Sequence, residues 1–283
     1  LGNFNIEGSF NGKINHFATN NKIATAIGNA QINLEINIPE EKDKLTVYSG
    51  TINGENIDIG VLLNNKEFGK VDANLKVKGE GFDINNADIY LDGNLDKFEF
   101  KNYAYKQILI KGSLDQKVFK GNLIVDDENL ALSFNGEFDF VNEKKHINAL
   151  ANLLHADFQK IGLSKEPFNG NADFDLNLYG SNINDLEGTA QLNNIDLKRG
   201  KEKLNIDFIQ LHSKIASAIN HEINIESNDF KLGIKGLFKV ENIIDTSNIS
   251  HSVISMYANN NIVSIISKDS FTPKATLAGF TFI

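Results

Sequence analysis

The chain has 283 residues, a net charge of −9, 41% hydrophobic residues, a mean hydropathy of −0.25, and neither Cys nor Trp. That length suits two ordinary domains or one extended repeat array. The dispersed acidic charge excludes a basic nucleic-acid footprint, the missing cysteines exclude disulfides and thiolate metal sites, and no apolar run reaches the ~18 residues of a membrane-crossing helix.

In chain order, Phe4, Ile6, Phe10, Ile14 and Phe17, then Ile32, Leu34, Ile36 and Ile38, alternate with polar residues. This is the period of a half-buried strand. Pro39-Glu40-Glu41-Lys42-Asp43-Lys44 reads as a solvated turn, residues 45–63 as two strands around Gly50 and Gly54, and Asn64-Asn65-Lys66-Glu67 as a loop. From Val71 to Phe140 strand follows strand, with short turns at Asp115-Gln116-Lys117 and Asp126-Asp127-Glu128-Asn129. Such short connections predict an up-and-down antiparallel meander. Lys78-Gly79-Glu80-Gly81 reads as a loop within it.

Residues 147–154 alternate only in part. Residues 156–163 have helical spacing, with Asp157 as cap, Gly162 as stop and Pro167 beyond, which predicts one or two helical turns. Strand signals resume at Ala172, Phe174, Leu176 and Leu178, then near Ala190, Leu204 and Ile223. Beyond Val240, the residues Ile243, Ile244, Val253, Ile254, Met256 and Tyr257 fit one face of a helix, and residues 262–266 fit a strand. The expectation is all-β: about 18 to 20 strands, more than a closed sandwich holds, as a long meander curled into an elongated groove with one or two short helices. Soft divisions fall at 1–64, 65–145, 146–240 and 241–283. The chain reads as a fragment of something longer, because it lacks an initiator Met and stops mid-pattern.

Several strands share one grammar, apolar-x-apolar-x-Gly-x-apolar. It runs through Ile89-Tyr90-Leu91-Asp92-Gly93-Asn94-Leu95, Ile108-Leu109-Ile110-Lys111-Gly112-Ser113-Leu114 and Leu132-Ser133-Phe134-Asn135-Gly136-Glu137-Phe138. Phe4-Asn5-Ile6-Glu7-Gly8-Ser9-Phe10 and Leu232-Gly233-Ile234-Lys235-Gly236-Leu237-Phe238 repeat it. Apolar residues and glycine therefore share one side of the pleat. The other side is polar, with Tyr90 and Leu109 as exceptions. A glycine on the apolar side fills no volume, but it permits a bend or the close approach of a neighbour.

The apolar side is the candidate site. Its expected lining is Leu75, Val77, Ile89, Leu91, Ile108, Ile110, Phe119, Leu123, Val125, Leu132, Phe134, Phe138, Phe174, Leu176, Leu178, Leu232 and Ile234. Two packings fit the pattern: a dry core between two layers, or an open trough. A trough suits acyl chains, since each buried CH₂ contributes about 0.8 kcal/mol through contacts that have no direction. The six histidines never reach metal-ligand spacing, and Asp126-Asp127-Glu128-Asn129 lacks the spacing and glycine of an EF-hand loop, so it reads as a polar turn. No nucleophile elbow, Walker sequence or dinucleotide fingerprint is present, so the reading is non-enzymatic, without cofactor or metal.

Three runs carry a family resemblance: Tyr103-Ala104-Tyr105-Lys106-Gln107-Ile108-Leu109-Ile110-Lys111-Gly112, Phe119-Lys120-Gly121-Asn122-Leu123-Ile124-Val125, and Tyr179-Gly180-Ser181-Asn182-Ile183-Asn184-Asp185-Leu186-Glu187-Gly188. Together with Gly8-Ser9-Phe10 and Tyr48-Ser49-Gly50, they resemble the TamB proteins of Bacteroidetes over most of residues 1–240. The resemblance implies an AsmA-like, bridge-forming lipid-transfer protein. Such proteins are anchored in the inner membrane by a segment not seen here and cross the periplasm as a β-taco. They take phospholipid as cargo and have a BamA-like outer-membrane partner of the TamA type, engaged through parts outside this fragment. The family offers no catalytic residues to carry over. The other readings are an assembly scaffold without lipid conduction and an extracellular β-repeat adhesin. An outer-membrane barrel is poorly supplied with the aromatic girdles it needs.

Overall fold

A computed structural model describes residues 3–83, 85–139, 145–182, 185–217, 220–228, 230–236, 252–258, 261–266, 276–277 and 280–281. The fold is all-β, antiparallel and open, not closed into a barrel. In the first half the strands are β1 (Phe4–Lys13), β2 (His16–Thr25), β3 (Gly28–Asn37), β4 (Val47–Asp58), β5 (Phe68–Glu80), β6 (Asp88–Phe100), β7 (Tyr103–Asp115), β8 (Val118–Asp127) and β9 (Leu130–Asp139). They continue with β10 (Lys145–Asp157), β11 (Asn169–Gly180), β12 (Glu187–Arg199), β13 (Glu202–Ser217), β14 (Asn220–Ser227) and β15 (Phe230–Gly236). The last are β16 (Ser252–Ala258), β17 (Asn261–Ile266), β18 (Thr276–Leu277) and β19 (Phe280–Thr281).

The chain divides into two compact units. One comprises residues 1–141, 151–171 and 197–202; the other comprises residues 142–150, 172–196 and 203–283. In the first unit β1 to β9 pair strictly with their sequence neighbours. The hairpins at residues 101–102 and 116–117 are two-residue turns with φ of 48° and 66°, and of 44° and 70°. Positive φ at both centres gives the twist that suits a tight hairpin. In the second unit β13 to β17 form the same kind of neighbour-to-neighbour meander.

Four sequence expectations are corrected. Residues 45–63 form a single strand, β4, followed by a short helix α1 (Ile59–Leu63), rather than two strands. Asp58 accepts a hydrogen bond from the Val61 N–H at 3.0 Å, and Asn64 closes the helix at φ 51°. A capped start and a left-handed stop outweigh the β-propensity of Ile-Gly-Val-Leu-Leu. Residues 156–163 do not form a helix. β10 continues to Asp157, and a single turn follows, with Lys160 N–H donating to Asp157 Oδ1 at 3.1 Å and Gly162 at φ +76°. Cap and stop lie too close together for propagation beyond the costly first turn. Residues 78–80, read as a loop, end β5. Val253, Ile254, Met256 and Tyr257 belong to a strand, β16, not to a helix; Ile243 and Ile244 lie outside the described residues.

Gly93 explains why the apolar face repeatedly carries glycine. A Cβ there would collide with the Asn74 carbonyl oxygen and lie 3.0 Å from Leu75 Cα on the adjacent strand. The glycine is a point of close backbone approach between β5 and β6, which no side chain permits.

Candidate functional site

Directly paired residues of neighbouring strands share a face, so the registers define the apolar surface of β3 to β9 row by row. One row runs Ile36, Tyr48, Gly79, Ile89, Leu114, Phe119, Phe138. The next runs Leu34, Gly50, Val77, Leu91, Gly112, Gly121, Gly136. A third runs Ile32, Ile52, Leu75, Gly93, Ile110, Leu123, Phe134, and a fourth Ala30, Gly54, Ala73, Leu95, Ile108, Val125, Leu132. The Tyr48 phenol is the one ionisable group in these rows. Its hydroxyl donates to the Gly81 carbonyl at 3.1 Å, and burial, then the Asp88 charge, pushes its pKa up.

The opposite face reads Asn33, Thr51, Lys76, Asp92, Lys111, Asn122, Asn135 along one row. Lys111 pairs there with Asp92 at 3.6 Å, both well exposed. Apolar intrusions on this face are exposed: Tyr90, Leu109 and, directly opposite Leu109, Ile124.

Twelve of the sequence-predicted lining residues thus fall on one continuous face, from Leu75 on β5 to Phe138 on β9. Val77, Ile108 and Val125 are buried; Leu75, Ile89, Leu91, Ile110, Phe119, Leu123, Leu132, Phe134 and Phe138 are half-buried. The other five belong to the second unit. Phe174, Leu176 and Leu178 alternate on β11 with the exposed Asp175, Asn177 and Tyr179. Leu232 and Ile234 lie on β15, in register with Ile225 and Ile223 on one side and with Met256 and Ile254 on the other.

The packing on this face is lateral. Leu34, Tyr48 and Val77 form a buried cluster, flanked by Ile32, Ile36, Ile52, Leu75, Ile89 and Leu91. Every member lies on β3 to β6 and on the same side of the sheet, so these side chains shield one another across adjacent strands, and the Phe82 ring stacks on Tyr48 at 4.9 Å from the β5–β6 connection.

Sequence reading missed an aromatic extension of this face. Register shifts after Gly54 in β4 and beside Asp72 on β5, together with Gln107 at φ 52° on β7, mark bulges at one level of the sheet. Bulges bend a sheet and re-aim its side chains. Past them the face continues as Val71, Phe98 and Tyr105, then Phe68, Phe100 and Tyr103. Phe68 lies 5.1 Å from Phe100 and 6.0 Å from Phe98, and Tyr103 meets Tyr105 edge-on at 4.6 Å. The sequence signal was present in the paired Phe98-Glu99-Phe100 and Tyr103-Ala104-Tyr105 across a two-residue turn.

Asp127, first weighed as a cation ligand, has a structural role here. It is 7% exposed; its Oδ1 accepts from the Tyr103 hydroxyl at 2.5 Å and the Asn129 N–H at 2.9 Å, and its Oδ2 from the Lys106 N–H at 3.0 Å. Backbone pairing of β7 with β8 begins only at Ile108 and Val125, so this carboxylate takes over where the ladder stops. The Tyr103 pKa is raised by burial first and by the Asp127 hydrogen bond second. His221 in the second unit is buried, which lowers its pKa, and its Nε2 lies 2.8 Å from Ser213 Oγ. The Ser213 hydroxyl donates to the Leu186 carbonyl at 2.5 Å.

Comparison with protein-family models, with curated proteins and with solved structures returns no match.

Proposed function

We propose that the apolar face of this chain carries hydrocarbon, as a segment that shields and conducts phospholipid acyl chains between two membranes. The observation that carries this reading is the unbroken apolar surface of β3 to β9. Around the buried Leu34, Tyr48, Val77, Ile108 and Val125, its other large side chains are half-buried, while the reverse face is polar apart from Tyr90, Leu109 and Ile124. Half-exposed Phe and Leu over that extent call for an apolar occupant. Acyl chains fit because each CH₂ gains about 0.8 kcal/mol wherever it lies along the face, so a chain can shift between equivalent positions. With the resemblance to TamB proteins, the reading extends to a periplasmic location, inner-membrane anchoring, support of outer-membrane biogenesis and a BamA-like partner, the last through parts outside this chain.

The test is site-specific photocrosslinking in cells. A crosslinker at Phe134 is expected to recover phospholipid, whereas one at the neighbouring Asn135, exposed on the reverse face, is expected to recover none. Recovery of protein alone at Phe134 would instead mean an assembly scaffold. In a transfer assay, Ile110→Asp is expected to block movement and Lys111→Asp to leave it intact; equal effects would overturn the reading.

A further inference from the structure

β14 carries a histidine on its apolar side. His221, Ile223 and Ile225 alternate with Glu222, Asn224 and Glu226, and Ile223 and Ile225 are in register with Ser213 and Leu211 on β13. His221 itself stands opposite Ile215 on β13 and Gly236 on β15. It is 6% exposed, and Ser213 is 3% exposed. Of the other described histidines, His16, His155 and His212 are exposed and His146 is half-buried. A register shift between Ile215 and Ser217 puts a bulge beside His221, and bulges re-aim neighbouring side chains.

Three segments of the second unit meet at this point. Ser213 Oγ, on β13, lies 2.8 Å from His221 Nε2, on β14, and 2.5 Å from the carbonyl oxygen of Leu186, the residue before β12. Glu187 adds to the same join, its Oε1 accepting from the Ile215 N–H at 3.1 Å. The charged groups that act on the imidazole are Glu187, at the start of β12, and Asp185, in the turn before it. Asp185 also accepts from the Ser181 N–H at 2.9 Å and the Asn182 N–H at 2.8 Å. On β13 and β14 the adjacent charged residues, Lys214 and Glu222, are in register with each other on the opposite side of the strands. Burial disfavours the imidazolium more than the Leu186 carbonyl and the two carboxylates favour it, so the His221 pKa is pushed down.

We infer that the Ser213–His221–Leu186 junction is an acid-sensitive latch: proton uptake at His221 weakens the join of residues 185–187 to β13 and β14, while β1 to β9 are unaffected. A histidine that is harder to protonate when folded contributes its stability in full above about pH 6.5, and loses it as pH falls from there towards the lowered folded value. Opened, the imidazole meets water and takes the proton readily; closed, the same charge is held beside Ile215 on the apolar side. The inference stands whatever the apolar face carries.

The test is hydrogen exchange on the full chain at about pH 7.5 and about pH 5.5, a window above the ordinary carboxylate range. Rates are expressed as protection, so that the chemical pH dependence of exchange cancels. Protection of residues 213–215 and 221–223 is expected to fall several-fold, up to about ten-fold, at the lower pH, with that of residues 108–110 unchanged. In His221→Gln, which keeps a side-chain amide able to bond Ser213, the fall is expected to disappear. An equal fall in both chains, or none in the unaltered one, would overturn the inference. NMR titration of the unaltered chain is the check free of substitution. The His221 ring is expected to titrate below about 6.5, the value of an imidazole in water, and titration at or above that value would sink the latch.

Discussion

β1 and β6 follow the same grammar but differ in burial. Phe4, Ile6 and Phe10 on β1 are 68%, 53% and 57% exposed, whereas Ile89, Leu91 and Leu95 on β6 are half-buried. β6 has β5 on one side and β7 on the other, and its apolar residues are flanked by Gly79, Val77 and Ala73 on one and by Leu114, Gly112 and Ile108 on the other. β1 pairs with β2, and all ten of its residues are exposed. Where side chains are sheltered by their lateral neighbours, a strand's burial is set by how many neighbours it has. The grammar chooses the face, and the adjacent strands decide how dry that face becomes.

This contrast can be broken most sharply at the closest backbone approach. Gly93→Val is expected to destabilise the first unit by about 3 to 4 kcal/mol in urea unfolding, because the new side chain collides with β5 backbone and is overpacked as well. Removing the carboxylate that ends the β7–β8 ladder comes next. Asp127→Ala strands the Tyr103 hydroxyl and two N–H groups, at a cost of about 2 to 3 kcal/mol, with hydrogen exchange rising first near Lys106. The paired test of the comparison follows: Leu91→Ala is expected to cost about 2 kcal/mol and Ile6→Ala under about 1 kcal/mol, and equal losses would remove the lateral account of burial. Smallest is Lys111→Ala on the reverse face, where the exposed pair with Asp92 is lost for at most about 0.5 kcal/mol.

Much of this was legible in the chain because a period of two is a local property. Alternation and the in-phase glycines placed Ile89, Ile110, Phe119 and Phe134 on one face before any register was known. Short connections with turn residues made neighbour-to-neighbour pairing the economical topology, and β1 to β9 pair that way. Local signals were less decisive where two of them competed, as at Ile59-Gly60-Val61-Leu62-Leu63, where the Asp58 cap outweighed the β-branched residues.

The sequence by itself thus determined the strand period, the polar and apolar sides and the antiparallel order, since each depends on residues close together in the chain. Tertiary structure alone decided that the apolar residues of β3 to β6 pack sideways, that bulges on β4 and β7 carry the face on into an aromatic extension, and that Ile161, in the turn after β10, is fully buried. The physical reason is that burial and bulge alignment depend on which backbones come to lie side by side, and a single strand's pattern cannot encode what its neighbours bring to the same level.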